Sequence, residues 1–272
     1  IFFASSTSNP YYQSGITYDG SDELHYYQFS NANARYVDAQ SAALFRDVGS
    51  WYHIVCRYDN SDKIKLYVNG VEVASDSVSS THQFINKTTY PHYIGNYTYQ
   101  SNPGGNFDGY MTNIHFVDGQ TLLPTDFAYY DTGTKQWKPK AYAGTYGTNG
   151  FRLQFKQTGT GTASSSTIGA DTSGNTNHFT SNNLSANDCV PDSPENNFCT
   201  LNPLDNDNIT LSEGNLSGIS TANAHNGLGT TFGVTGGKWY WEIRSGGTGS
   251  NYFFGMAKST FSMISQYTND AH

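Results

Sequence analysis

The feature that most constrains this chain is a pair of alternating runs, "KIKLYV" and "VEVA", joined by the dipeptide Asn69-Gly70. A two-residue link of this composition supplies the two positive φ angles of a type I′ turn, whose twist matches that of paired strands. The two runs therefore form an antiparallel hairpin over 63–68 and 71–76. Immediately upstream, "WYHIVCRYD" alternates as well, so that Tyr52, Ile54, Cys56 and Tyr58 share one face of a strand over 51–59. That apolar face belongs to a core, and Asn60, Ser61 and Asp62 read as the turn into the hairpin.

The same period returns at "FDGYMTNIHFVDG", which predicts a strand over 110–117, and at "FRLQF" (151–155), which reads as a closing strand. It returns again at "GGKWYWEIR", where Trp239, Trp241 and Ile243 share a face of a strand over 238–244. Nowhere do apolar residues recur at helical spacing over three turns. Aromatics make up 15% of the chain and charged residues only 13%, which favours strands packed through Tyr and Phe over solvated helices. Composition marks the boundaries. Gly, Thr, Ser and Ala dominate from Gln157, and Asn, Asp, Pro and Ser dominate from Ser181 to Leu204. We read a first β domain over 1–156, a linker or wrapping segment over 157–204, and the start of a second β-sandwich over 205–272.

A net charge of −8, with the few Lys and Arg residues scattered, argues against nucleic acid as a partner. No apolar run reaches the ~20 residues of a membrane-spanning helix, so membrane insertion is not expected. Cys56, Cys189 and Cys199 are too few for a zinc cage. Cys56 reads as a buried core thiol, whereas Cys189 and Cys199 could be free or closed into one short loop.

Taken in order, "WYHIVCRYD", "IKLYVNGVEV", "YIGN" and "FDGYMTNIHFVDG" resemble the laminin-G-like branch of the concanavalin A-like jelly rolls. "GGKWYWEI" followed by "YFFGMA" resembles the opening strands of a SPRY domain. The whole tandem, with "KPKAYAGTYGTNGFRLQF", "DTSGNTNHFTSNNLS" and "DSPENNFCTLNPL" between its modules, is similar to tail fibre or appendage structural proteins of marine tailed bacteriophages. The resemblance implies an all-β fold, an antiparallel jelly-roll sandwich plus a partial second sandwich. Both sandwiches look cut at opposite ends, and the chain reads as a fragment of something longer.

Some members of this fold superfamily are glycosidases, which place two carboxylates about 5–10 Å apart. The Glu-x-Asp-x-x-Glu arrangement of the glucanases is missing here, no Ser sits in a Gly-x-Ser-x-Gly elbow, and the eight histidines follow no pattern. We therefore expect no enzyme activity. Calcium is the cofactor the family sometimes binds, through Asp side chains and carbonyls on rim loops. Its candidate ligands here are Asp19, Asp59, Asp62, Asp108 and Asp171, with Asn175. Asp108 and Asp118 precede glycine and read more simply as turn residues, and "DTSGN" lacks the further acids of an EF-hand loop. For a glycan, the candidates are Tyr97, Tyr99, Asn102, Asn106 and Tyr110 beside a Gly-rich loop, because aromatic faces and amides are what sugars contact. Packing is the stronger explanation of tyrosines in so Tyr-rich a chain. The sequons at Asn86, Asn96, Asn183, Asn208 and Asn215 are no more than this Asn, Ser and Thr content produces by chance.

The implied function is that of a virion structural protein: a tail fibre or appendage, oligomeric with its own copies and with other virion proteins, adhering to host-surface glycans. The rival is a secreted lectin-like adhesin or carbohydrate-binding accessory module.

Overall fold

The computed structural model describes residues 1–6, 12–30, 35–47, 49–59, 63–78, 85–96, 98–99, 102–220, 226–246 and 253–257. Among them the regular structure is antiparallel β throughout, apart from two single 3₁₀ turns, at Pro124–Asp126 and Ala186–Asp188. None of its helices is long and apolar enough to cross a membrane. Contacts divide the chain into two units, Ile1–Asn197 and Phe198–His272.

The first unit is a sandwich. Strands β1 (Phe2–Ser5), β2 (Tyr12–Tyr18), β3 (Glu23–Ser30) and β4 (Arg35–Leu44) pair in sequence. Strands β5 (Ile54–Asp59), β6 (Lys63–Val68) and β7 (Val71–Ser77) form a second, three-stranded sheet, and β8 (His92–Ile94) returns to add to β1. Alternation puts Leu24, Tyr26, Val37 and Ala39 of the larger sheet against Ile64, Leu66 and Val68 of the smaller, with Val78 closing the cluster. Burying side chains of this size contributes about 1.5–3 kcal/mol each for Leu, Ile and Val. Tyr26 is admitted to this core because Ser14 Oγ lies 2.8 Å from its hydroxyl and Gln28 Nε2 donates to it at 2.6 Å.

The expected hairpin is present in register. Val68 opposes Val71, and Asn69 and Gly70 hold φ of 49° and 82°. Gly70 is required twice over. Its φ suits glycine, and a Cβ there would lie 2.6 Å from the Trp137 ring. Trp137 stacks on His53 and donates its indole N–H to His53 Nδ1 at 2.9 Å. This ties the hairpin β12 (Ala128–Asp131) and β13 (Gln136–Pro139) to the sheet.

Tyr52, Ile54, Cys56 and Tyr58 all pack against the core, as their spacing predicts. The strand that carries them begins at Ile54 rather than Trp51, because the Asn69 turn engages His53 through both its backbone N–H and its carbonyl. Cys56 is a free thiol, half-buried rather than fully buried. Its apolar surroundings push the thiol up to about 12, so almost no thiolate forms at neutral pH. We expect native Cys56 to react with a maleimide at least tenfold more slowly than exposed Cys199; equal labelling of the two would contradict this packing. Cys189 and Cys199 are also free.

Two short pairs follow: β9 (Thr98–Tyr99) with β10 (Asn102–Pro103), and β11 (Ile114–Phe116) with β14 (Phe151–Leu153). The strand expected over 110–117 is thus confined to Ile114–Phe116, because Asn113 takes φ 47° and breaks the extended backbone. The closing strand likewise stops at Leu153, before Phe155 at φ 54°. The Gly- and Ser-rich stretch from 157 falls largely within the first unit. Within it Thr167, Ile168, Ala170 and Asp171 are buried.

The second unit contains β15 (Leu201–Asn206), paired with β18 (Leu228–Thr230), and the hairpin β16 (Ile209–Ser212) and β17 (Ser217–Ser220). Its described strands lie before residue 236. The strand expected over 238–244 does not form: no described segment pairs with it, and Trp239, Tyr240, Trp241 and Ile243 are all at least half exposed. Alternation licenses a strand only where a partner meets its backbone N–H and C=O groups.

Candidate functional site

At the β8 end of the sandwich the core opens into a cleft of about 410 Å³, within the roughly 300–1,000 Å³ of small-molecule sites. Its apolar wall is Phe116, Phe151 and Phe179. Phe116 and Phe151 stack at 5.5 Å between ring centres, and Phe179 meets Phe151 edge-on at 4.8 Å. Its polar wall is Asn86, Asn149, Asn177, His92 and His178, with Lys87, Thr88 and Thr180 also lining it.

Each wall is locked from behind. Asp118 Oδ1 accepts from Asn86 Nδ2 at 2.7 Å and its Oδ2 accepts from Asn149 N at 3.2 Å, while Asn149 Nδ2 donates to Asn86 Oδ1 at 2.9 Å. Gly150 permits this closure: a Cβ there would sit 1.9 Å from the Tyr146 carbonyl oxygen.

Asn177 and His178 are held in the lining by the loop 171–178. The Asp171 carboxylate accepts from the backbone N–H groups of Arg152, Ser173 and Asn177 and from the Ser173 hydroxyl, at 2.8–3.0 Å. Burial alone would raise its pKa, but these donors hold it below the usual carboxylate value. Asn175 Nδ2 donates to the carbonyls of Gly147 and Gly150, and Asn177 Nδ2 to those of Thr148 and Gly150. One loop thereby staples the segment 147–152 and carries Asn177, His178 and Phe179 into the cleft. His92 stacks on Phe2, and its burial pushes it below the ordinary histidine value, so it is neutral at physiological pH.

The residues expected from sequence fare unevenly. Tyr97 and Asp62 lie outside the described residues, and for Asp59, Tyr99 and Asn102 only the backbone is described. Tyr99 and Asn102 pair across β9 and β10, Asn106 accepts from Asn96 Nδ2, and Tyr110 is 40% exposed. None of the described members of that set lines the cleft. Among the calcium candidates, Asp19 accepts from the N–H groups of Ser21 and Glu23 and from Gln40 Nε2, which makes it a turn residue between β2 and β3. Asp108 is exposed. Asp171 and Asn175 are the clamp just described, and a cation at Asp171 would have to displace four donors. No group of three His, Cys, Asp or Glu side chains suited to a metal occurs among the described residues.

Sequence reasoning passed over the cleft. His92 and His178 read as default histidines, and Asn86 as a chance sequon. The one available signal was the density of Asp, Ser and Asn in "DTSGNTN", since side chains of this kind bond backbone groups nearby.

Residues 1–125 match the laminin-G-type family model of the concanavalin A-like lectin/glucanases superfamily. They form a concanavalin A-like lectin/glucanase-type domain, and the fold is the expected antiparallel jelly-roll class. No curated protein and no solved structure gives a match. The concanavalin A-like domain supplies Asn86, Lys87, Thr88, His92 and Phe116 to the cleft, whereas Asn149, Phe151 and residues 177–180 come from the segment after it.

Proposed function

We propose that residues 1–197 form a non-catalytic module that binds a neutral saccharide in the cleft. The observation that carries this reading is the presence of three phenylalanines together with amide and imidazole side chains in the lining of one cleft of about 410 Å³. A sugar ring offers C–H groups to the one and hydroxyls to the other. Acidic sugars are disfavoured, because the carboxylates of Asp118 and Asp171 stand directly behind the polar wall of a chain with net charge −8.

A binding rather than a hydrolytic role is supported by how the acids of the larger sheet are engaged. Asp38 is held by His25 and Arg35, while Asp19 and Glu23 share the Gln40 amide at 2.9 and 2.6 Å. A glycosidase needs one acid carrying a transferable proton and a second free to act as nucleophile or base. The setting, a virion appendage assembled with its own copies or a secreted adhesin, rests on the resemblance of the tandem to phage fibre proteins. Both settings use the same adhesive module.

The test is a glycan array on the full chain, followed by calorimetry with the best neutral oligosaccharide. Saccharide binding that Phe179→Ala weakens at least tenfold is the expected result. Binding confined to acidic glycans, or unaffected by that change, would overturn the proposal.

A further inference from the structure

His178 is the cleft residue whose hydrogen-bonding role its own backbone loop decides. Its Nδ1 receives the backbone N–H of Asp171 at 2.9 Å, and a peptide N–H can only donate. Nδ1 therefore carries no proton, and the neutral ring must carry its proton on Nε2. With Nδ1 engaged by the clamp loop, Nε2–H is the polar group that His178, a lining residue of the cleft, has left to offer. Its neighbour Asn177, also in the lining, donates from Nδ2 to Thr148 O at 3.2 Å and Gly150 O at 2.9 Å, so the group its side chain has left to offer is the Oδ1 acceptor. The two residues thus contribute a donor and an acceptor to one lining, both set by hydrogen bonds that exist before any ligand arrives.

We propose that His178 is the specificity-determining donor of the cleft, presenting Nε2–H to an acceptor oxygen of a neutral saccharide whose adjacent hydroxyl donates to Asn177 Oδ1. The inference rests on the saccharide-binding reading above and names how that site chooses among sugars. A vicinal pair of oxygens, one accepting and one donating, satisfies both groups. A sugar deoxygenated at the accepting position would leave Nε2–H unpaired in a partly buried site, a loss that discriminates strongly between otherwise similar ligands. Since the donor is held by the loop, its presentation costs little ordering on binding.

The test uses the full chain and has two independent readouts. The first is the ¹⁵N signature of His178 in the ligand-free protein, where the Nε2-protonated tautomer is expected and the Nδ1-protonated one would overturn the proposal whatever the chain binds. The second is affinity for the best neutral oligosaccharide of a glycan array. His178→Phe, which keeps a planar ring and removes both the Nε2–H donor and the acceptor of Asp171 N, is expected to weaken binding at least about tenfold, while His178→Gln, which restores a donor and an acceptor, recovers most of it. Melting curves establish that both variants fold, and the tautomer signature stands even where one does not. If the unaltered chain binds neutral saccharides and His178→Phe binds them equally well, the inference fails and the binding reading survives. If the unaltered chain binds no neutral saccharide, both fail.

Discussion

Replacing Asp171 with alanine is expected to destabilise the first unit by roughly 3–5 kcal/mol and to abolish saccharide binding with it. The carboxylate is buried and accepts four hydrogen bonds, three from backbone N–H groups that belong to two different segments. Removing it leaves those partly buried donors without an acceptor, and each unpaired group costs about 1–3 kcal/mol. The damage spreads, because Asn175 and Asn177 reach the carbonyls of 147–150 only from the loop conformation that Asp171 imposes. Asp171→Asn keeps the shape but turns one amide N–H toward a donor, and should lose about half as much. Urea denaturation of the full chain, read by near-ultraviolet tyrosine and tryptophan signals, measures both. A midpoint for Asp171→Ala within error of the parent would show that the loop does not brace the cleft.

Acidification from pH 7.5 to 4.5 is expected to lower the melting temperature of the first unit by roughly 10 °C or more. Burial pushes His53 from 6.5 down to about 4, and burial pushes His115 down equally far, with the charge of Arg152 and the proximity of His53 adding to the shift. Both rings are neutral acceptors or partners in the fold. His53 Nδ1 accepts from Trp137, and His115 Nδ1 lies 2.7 Å from the Tyr146 hydroxyl. For a base whose folded pKa is depressed, the unfolded chain binds the proton first. The stabilisation is therefore whole above pH 6.5 and is lost as pH falls through the window down to about 4. Each histidine contributes up to roughly 3 kcal/mol across that window, and a unit of this size shifts by about 2–4 °C per kcal/mol. The carboxylates with depressed pKa values, Asp38 and Asp171 among them, release their contribution only below the ordinary Asp value of 3.8, so they do not blur the histidine step. His53→Gln, which keeps an acceptor for Trp137, should remove up to about half of the pH dependence, His92 and the Ile1 amino group, both also pushed down by burial, retaining shares of their own. A melting temperature flat between pH 7.5 and 4.5 would mean that neither ring is held neutral.

Local sequence was enough for whatever depends on neighbours in the chain. Alternation placed Tyr52, Ile54, Cys56 and Tyr58 on the core face, and Asn69-Gly70 specified its turn, because side-chain direction along a strand and the φ angles of a two-residue turn are set within a few residues. The same rule misled at 238–244, where the alternation is just as regular and no described strand lies alongside to pair with it. The cleft was beyond such reading. Its lining comes from residues 86–88, 92, 116, 149, 151 and 177–180, and an Asn or His in any of these is unremarkable until folding brings it into one cleft with three phenylalanines. Asp171 makes the difference plain. Its surroundings in sequence suggested a cation loop, but its carboxylate had to be seen beside the N–H of Arg152, nineteen positions away, before it could be read as a clamp. A motif records which donors and acceptors a segment owns, and only tertiary structure decides whether they meet the chain itself or a ligand.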